Sequence, residues 1–184
     1  LLFLPDIAYK TGYPGESAFN AIMSGVQHLV DKGFVDEPNI GLQSHSWGGY
    51  QIAYILTRTN RFKAAQAGAV VANMVSAYGT VRHDSEGESR MWLYENDQSR
   101  IGGTLWDYPL RYIENSPIFQ ADKIHTPFLM MHNDKDPWVP WHLGMELFMA
   151  LYRLNRPVWL VNYNGERHWP TKLAHRKDWT IRME

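Results

Sequence analysis

The sequence predicts an α/β fold in which a mostly parallel sheet carries helices on both faces. Short apolar runs alternate along the chain with longer segments in which apolar residues recur at helical spacing. Turn-forming Pro, Gly, Asn and Asp residues separate the two kinds of segment. This alternation is typical of parallel sheets, because a parallel strand is reached only through a crossover long enough for a helix. The 184 residues suit one domain of this kind.

The predicted strands are short runs that are rich in apolar or small side chains. In chain order they cover residues 1–4, 40–43, 64–72, 128–131 and 158–163. In a parallel sheet, ligands bind beyond the carboxyl ends of the strands. The residues that directly follow each run are therefore the candidates for a functional site.

Helical spacing of apolar residues predicts helices between these strands. The first helix carries apolar residues over 19–30 and ends before Gly33, which suits the left-handed position that follows a helix. A second helix follows Gly49, and a third covers 142–154. A last helix starts in the polar stretch that contains Leu173.

Residues 76–122 have weak periodicity and many Gly, Asp, Glu, Ser and Arg residues. We interpret them as an excursion of loops and short helices within the same domain, not as a second domain. The charged residues of this excursion fit either a solvated surface or a wall of a substrate pocket. They are Arg82, Asp84, Glu86, Glu88, Arg90 and Arg100.

The composition excludes several functional classes. Acidic and basic residues nearly cancel to a formal net charge of -1, whereas proteins that hold nucleic acid by bulk charge are clearly basic. The absence of cysteine excludes disulfides, a thiolate nucleophile and zinc–thiolate sites. No apolar run approaches the roughly 20 residues that a membrane-spanning helix needs. We therefore expect neither a nucleic-acid nor a membrane partner, while the compartment, cytoplasm or periplasm, stays open.

A chemical signal follows the second predicted strand, where Ser46 lies in the segment SHSWGGY at 44–50. A serine at a sharp turn from a strand into a helix exposes its hydroxyl at the sheet edge, and G-x-S-x-G marks such turns. Ser44 replaces the first glycine of that pattern, and Gly48 supplies the second. The backbone N–H of Trp47, at the start of the new helix, is the predicted oxyanion donor. A serine- and glycine-rich turn without a chemical role is the alternative interpretation.

Two aspartates, Asp134 and Asp136, follow the fourth predicted strand. A carboxylate at a strand end can orient a catalytic imidazole, and both have the right residue type, although aspartates also form turns. His132 alternates with them, which would also suit a metal site. Residues that alternate along a loop need not converge, however, and no further histidine cluster completes a ligand set. We therefore predict no metal site.

His168 follows the last predicted strand, on a loop that can reach the serine across the sheet edge. His175 is a rival but lies within the predicted last helix, and the side chain of His45 is expected to point away from its neighbour Ser46. Nucleophile, acid and base thus come in the order Ser46, Asp136, His168, each after its own strand. That order is typical of the α/β-hydrolase fold.

Taken together, these motifs resemble the prolyl oligopeptidase family of serine peptidases, which includes dipeptidyl peptidase IV and acylaminoacyl peptidases. The residues that carry the likeness span nearly the whole chain. They are Asp6, 12–15 (GYPG), 33–36 (GFVD), 40–41 (IG), 45–50 (HSWGGY), 116–117 (SP), 136–140 (DPWVP) and 165–168 (GERH). The family's acid lies in a His-Gly-x-x-Asp-x-x-Val pattern. Counting from His132 selects Asp136 over Asp134, with Asn133 in place of the glycine.

The resemblance implies more than these 184 residues contain. Family members carry an N-terminal β-propeller that filters substrates, and their hydrolase domain has strands before the segment that starts here at Leu1. One of those strands leads to a tyrosine whose hydroxyl completes the oxyanion hole. We therefore expect an N-terminally truncated hydrolase domain, a propeller in the parent protein, and an exposed sheet edge that favours homo-oligomers.

The resemblance also implies a hydrophobic, aromatic pocket next to the nucleophile. By position, Tyr50, Trp138 and Val139 are its candidate substrate-binding residues, and Tyr78 and Trp92 in the excursion are further candidates. The predicted substrate is an oligopeptide.

The predicted function is hydrolysis of peptide bonds by Ser46, Asp136 and His168 through an acyl-enzyme, without a cofactor. Two alternatives stay open: an esterase or lipase-like hydrolase with the same triad, and a catalytically silent interaction domain with this fold. We expect the 184 residues alone to be weakly active or inactive, because the second oxyanion donor would lie outside them.

Overall fold

The computed structural model describes residues 1–33, 35–82 and 87–184, and its centre is a parallel sheet. The four strands are β1 (Gly41–His45), β2 (Ala64–Gly68), β3 (Phe128–Met131) and β4 (Val158–Val161). They lie side by side in the order of the sequence, and each neighbouring pair is parallel. All four carboxyl ends therefore meet at one edge, where the loops after β1, β3 and β4 come together.

Helices connect the strands and extend beyond them. In chain order they are α1 (Pro14–Asp31), α2 (Trp47–Leu56), α3 (Met74–Tyr78), α4 (Met91–Glu95), α5 (Pro109–Glu114), α6 (Trp141–Arg153) and α7 (Leu173–Met183). Short 3-10 segments cover Glu37–Asn39 and Pro117–Lys123. None of the helices in the described ranges combines the length and the apolar character that a membrane crossing requires.

Helix α1 shows how the local sequence sets its ends. Pro14 occupies its first turn, where its missing N–H is no loss. Gly33 follows the helix with a φ of 77°, and its N–H donates to Val30 O at 2.9 Å. Glycine adopts this left-handed conformation without strain, so the helix ends where the sequence predicts.

Helices α2 and α6 cover one face of the sheet with the largest apolar cluster. Each fully buried Leu, Ile or Phe side chain here is worth about 1.5–3 kcal/mol relative to leaving it exposed. Large buried members of this cluster are Ile52, Leu56, Ile124, Phe128, Met130, Leu147 and Leu151.

Helix α7 lies on the opposite face. Leu42 in β1 faces the cluster of α2, so the next residue, Gln43, points to the other side. There the Gln43 Nε2 donates to Met183 Sδ at the end of α7, at 3.2 Å. The sheet therefore has helices on both faces, as the sequence predicts.

The strand predicted over residues 1–4 is wrong. This segment has no regular structure, and Leu1, Leu2 and Leu4 are largely exposed. A strand needs a hydrogen-bonded neighbour, and none of the described strands pairs with this segment. Instead the Phe3 ring lies against Gly25 of α1, where a Cβ would come within 2.5 Å of it.

The strand predicted over 64–72 is shorter in the structure. It ends at Gly68, because Ala69 turns the chain with a φ of 49°. The following residues enter the core as irregular backbone, and α3 starts soon after at Met74.

The described residues between Met74 and Lys123 include short helices that pack around a second buried cluster, which is rich in tyrosine. Tyr78, Tyr94 and Tyr112 belong to it, together with Tyr50 and Tyr54 of α2. The short helices therefore pack against α2. Asp84 and Glu86 of the excursion, and Phe34 of the GFVD motif, lie outside the described residues.

Candidate active site

Ser46 forms a tight turn between β1 and α2. Its backbone has φ 60° and ψ −121°, a conformation that costs a residue with a Cβ about 1–3 kcal/mol. The Ser46 N–H donates to Gly68 O of the neighbouring strand at 2.8 Å, and Tyr50 N–H donates to Ser46 O at 3.1 Å. These bonds hold the turn in its strained shape and keep the serine at the carboxyl edge of the sheet.

Two glycines allow α2 to start this close to the sheet. A Cβ on Gly49 would lie 2.6 Å from Gly68 O, which is too close for carbon and backbone oxygen. A Cβ on Gly48 would overlap the Ser44 side chain. Gly48 therefore makes room for the serine that replaces the first glycine of the motif, which explains why that departure is tolerated.

Asp136 and His168 lie on the loops after β3 and β4, and they are hydrogen-bonded. The His168 Nδ1 donates to Asp136 Oδ2 at 2.7 Å, and both side chains are buried. The other carboxylate oxygen, Oδ1, accepts from the backbone N–H groups of Trp138 and Val139, each at 2.9 Å. Burial alone would raise the pKa of Asp136, but these hydrogen bonds, led by that of His168, hold it below its usual value.

The Nδ1 bond to Asp136 fixes the His168 ring and leaves its Nε2 for other partners. Ser46 and His168 line the same cavity at the sheet edge. Ser46 Oγ makes no hydrogen bond within the described parts of the chain, so the two side chains share the cavity without a direct bond. Such contacts often tighten only when a substrate is bound.

The rival residues have other partners. Asp134 Oδ1 accepts from Gly165 N–H at 2.7 Å, which makes it a link between loops. His175 Nδ1 bonds to Glu166 Oε1 at 2.7 Å, and its ring stacks on Tyr163. Neither residue lines the cavity.

His45 lies where the sequence analysis did not expect it. Its ring packs edge-on against His168 with 4.6 Å between the ring centroids, and it lines the cavity. Gly68 lies against this ring, and a Cβ there would overlap it. Burial, and then the nearby His168, lower the pKa of His45 to about 4. The sequence did not predict this contact between His45 and the His168 ring.

Hydrogen bonds join the loop that carries Asp136 (the acid loop, residues 132–140) to the loop that carries His168 (the base loop, residues 162–172), and the sequence did not predict them. Asn133, which is 1% exposed, donates from Nδ2 to Arg167 O at 2.8 Å and accepts from Tyr163 N–H at 3.1 Å. Lys135 N–H also donates to Glu166 O at 3.2 Å.

Hydrogen bonds to the Glu166 carboxylate connect the base loop to the start of α7. One of its carboxylate oxygens accepts from the N–H and hydroxyl of Thr171, and the other accepts from Lys172 N–H and His175. Burial opposes the charge, but the bonds from Thr171, Lys172 and His175 lower the pKa of Glu166 to about 2. The only sequence signal for the importance of Glu166 was its place in the GERH motif.

The cavity beside Ser46 has a volume of about 710 Å³. Trp47, Trp138 and Val139 line it, as does Trp92 of the excursion. Tyr50 does not, because it is fully buried behind the Trp47 ring, with 4.4 Å between centroids. Tyr78 also lies in the buried cluster and not in the cavity wall.

Charged residues of the excursion form the far wall of this cavity. Arg82 and Glu88 face each other there with 3.9 Å between Nη1 and Oε2. Arg90 also lines the cavity, and its buried Nε and Nη1 have no hydrogen-bond partner among the described residues. The same holds for the hydroxyl of Ser99. The excursion is thus part of the cavity wall as well as of the surface.

Potential metal ligands do not converge in this region. Within residues 1–33, 35–82 and 87–184, no group of three or more His, Asp or Glu side chains is arranged to hold an ion. His132 donates from Nε2 to Val139 O at 2.8 Å, and Asp134 bonds to Gly165, so the alternating residues have separate partners.

Known proteins with similar sequences are peptidases. The chain is 27% identical over 169 residues to the uncharacterized peptidase YuxL of Bacillus subtilis, covering 91% of this chain and 24% of YuxL. It is 26% identical over 152 residues to dipeptidyl-peptidase 5 of Porphyromonas gingivalis, covering 80% of this chain and 21% of that protein. The chain thus spans about a quarter or less of the length of these relatives.

Solved structures share the fold. A puromycin-hydrolyzing peptidase of Mycobacterium tuberculosis matches with a TM-score of 0.75 and 28% identity, over 86% of this chain and 23% of that one. The acylaminoacyl peptidase of Pyrococcus horikoshii matches with a TM-score of 0.78 and 19% identity, over 94% of this chain and 28% of that one.

The parallel sheet with helices on both faces agrees with the fold of these solved structures. The family described as the prolyl oligopeptidase family matches residues 10–184. The chain therefore belongs to the prolyl oligopeptidase family.

Proposed function

We propose that this chain carries the catalytic groups of a serine peptidase, with Ser46 as nucleophile, His168 as base and Asp136 as the acid that orients it. The observation that carries the proposal is the 2.7 Å hydrogen bond between His168 Nδ1 and Asp136 Oδ2, beside the cavity that Ser46 also lines. A carboxylate in this position selects the tautomer with the proton on Nδ1 and leaves Nε2 free to accept one.

The first half of the reaction is transfer of an acyl group to the serine. Ser46 Oγ attacks the carbonyl carbon of the scissile peptide bond while His168 Nε2 takes the hydroxyl proton. The C–N bond then breaks, and His168 returns that proton to the leaving amine. Asp136 stays ionised throughout and stabilises the imidazolium, in keeping with its lowered pKa.

Water completes the cycle. His168 removes a proton from a water molecule, the water oxygen attacks the acyl carbon, and Ser46 leaves with the proton that His168 returns. The enzyme is thereby restored, and the acid product carries the new oxygen.

The first oxyanion donor in this proposal is the backbone N–H of Trp47. It is the first N–H of α2, which has no acceptor within its own helix. The family resemblance implies a second donor, a tyrosine hydroxyl outside these residues. Loss of one such donor typically costs about 10²–10³ in kcat. Residues 1–184 alone are therefore expected to turn over slowly compared with the full-length protein.

The proposed substrate is an oligopeptide whose side chain before the scissile bond enters the cavity. Trp47, Trp138 and Val139 give this cavity an apolar, aromatic wall near Ser46. The relatives named as peptidases and dipeptidyl-peptidases support peptide bonds as the target. Side chains of the excursion, such as Trp92, would contact the more distant part of the substrate.

The test compares amide and ester substrates in the full-length protein and in its Ser46→Ala variant. Chromogenic alanyl and prolyl amides should be hydrolysed by the wild type, and the variant should lose this activity by several orders of magnitude. Turnover of esters only would instead favour an esterase. Turnover of neither substrate by a folded protein would favour a silent interaction domain.

A further inference from the structure

The loops that carry Asp136 and His168 are joined by hydrogen bonds between residues 30 to 34 positions apart in the sequence. Asn133 bonds to both ends of the base loop, at Tyr163 and Arg167. Asp134 Oδ1 accepts from Gly165 N–H between them. The acid loop therefore holds the base loop through two neighbouring side chains.

The Asn133 amide has one donor and one acceptor group, and each bonds to a backbone group of the base loop. Its Oδ1 accepts from the N–H of Tyr163, two residues after β4 ends, and its Nδ2 donates to the carbonyl of Arg167 directly before His168. One partner is a donor and the other an acceptor, so the orientation of the amide is determined by its contacts. The side chain is 1% exposed, so water does not compete for these bonds.

A glycine at this position could make neither bond. The link therefore depends on a side chain that offers both a donor and an acceptor at this position. It acts on the peptide unit that leads directly into the proposed base.

We propose that Asn133 is a positioning residue that sets the place of His168 relative to Ser46. The inference rests on the proposed serine peptidase function. Its physical reason is that proton transfer between Ser46 and His168 requires a short, aligned contact, and a misplacement of about 1 Å can cost 10²-fold in rate. Asn133 touches neither substrate nor the reacting atoms in this scheme, so it acts only through the Arg167 carbonyl and the base loop.

The experiment measures kcat and KM of the full-length protein with a chromogenic peptide amide in three variants. Asn133→Gly removes both bonds, and Asn133→Asp keeps the acceptor for Tyr163 but loses the donor to Arg167. Asn164→Gly is the matched control, since Asn164 lies on the base loop, is exposed, and among the described residues bonds only to the side chain of Asn162. Thermal melting of each variant is followed at the same pH, together with the rate at which a fluorophosphonate labels Ser46.

We expect both Asn133 variants to lose about 10–100-fold in kcat and in labelling rate, with KM within about twofold of the wild type. The control should match the wild type. Unchanged kcat in Asn133→Gly would overturn the proposal. So would a loss of activity that only follows the loss of folded protein, because Asn133 would then support the fold and not the base.

The labelling measurement separates this proposal from the proposed function. If the wild-type protein is not labelled at Ser46, the serine peptidase function itself fails. If the wild type is labelled and turns over amides but the Asn133 variants do the same at equal rates, only the positioning role fails.

Discussion

The two walls of the cavity beside Ser46 are built differently. Behind the wall that His168 and Trp138 form, Asp136, Asn133 and Glu166 are buried, and every side-chain oxygen or nitrogen of these three groups has a hydrogen-bond partner. In the opposite wall, the Nε and Nη1 of Arg90 and the hydroxyl of Ser99 are buried and have no hydrogen-bond partner among the described residues. A proposed acid and base need one fixed geometry, whereas a wall that meets variable substrates does not. Single polar substitutions should therefore reduce kcat or stability strongly behind the first wall and only slightly in the second.

The largest effect is expected for Asp136→Asn. The amide cannot select the His168 tautomer with the proton on Nδ1, so kcat should fall by about 10⁴-fold while the fold survives. Steady-state kinetics with a peptide amide measures this.

Asp134→Asn is the matched control for that substitution. Its oxygen can still accept from Gly165 N–H, so we expect a change in kcat of less than about tenfold. Equal losses in the two variants would mean that Asp136 has no special role and would break the contrast between the walls.

A second prediction concerns Glu166 and acid stability. Its pKa is about 2 in the folded chain and 4.5 for an ordinary glutamate, so the folded form holds the charge more strongly. The resulting stability is fully present above pH 4.5 and is lost as the pH falls toward 2. The Glu166→Gln variant should thus be less stable than the wild type near neutral pH, and the difference should shrink on acidification.

Urea unfolding of both proteins at several pH values tests this. Glu114→Gln, at an exposed position at the end of α5, is the control and should give a small, pH-independent difference. A gap between wild type and Glu166→Gln that stays constant or widens at low pH would contradict the account.

The smallest effect is expected for Arg90→Met on the opposite wall. The substitution removes two buried nitrogens that lack partners, which offsets the loss of the guanidinium's hydrogen bond with Tyr94, and it keeps most of the side-chain volume. Stability should therefore change by less than about 0.5 kcal/mol. Denaturant midpoints measure the change.

Arg111→Met is the comparison for that variant. Its Nη1 donates to Ile101 O at 3.0 Å and its guanidinium lies over the Tyr108 ring, so we expect a loss of about 1–3 kcal/mol. If Arg90→Met proved as damaging as Arg111→Met, the second wall would be as tightly paired as the first.

Local sequence signals were sufficient for much of the fold. The strand over 128–131 agrees with β3 residue for residue, because a continuous apolar run between turn-forming residues has few alternatives. Gly33 marked the end of α1 for an equally local reason, its left-handed backbone. The strand predicted over 1–4 failed because strand formation depends on a partner elsewhere in the chain, which an apolar run does not reveal.

In the site, too, features with a local sequence signal could be predicted, and features that depend on distant residues could not. The order of Ser46, Asp136 and His168 could be predicted from motifs that each follow a strand. The contacts of Asn133 and the burial of Tyr50 could not be predicted, since the first depend on residues 30 and 34 positions away and the second on which face of α2 meets the core. Sequence spacing carries no signal for such contacts.

The most direct test of the central claim is to label the full-length protein with a fluorophosphonate and locate the modified residue by mass spectrometry. The account predicts a single adduct on Ser46, at a rate that falls sharply in the His168→Ala variant because the hydroxyl then lacks its base. No adduct on Ser46 in the folded wild type, or labelling that does not depend on His168, would contradict it.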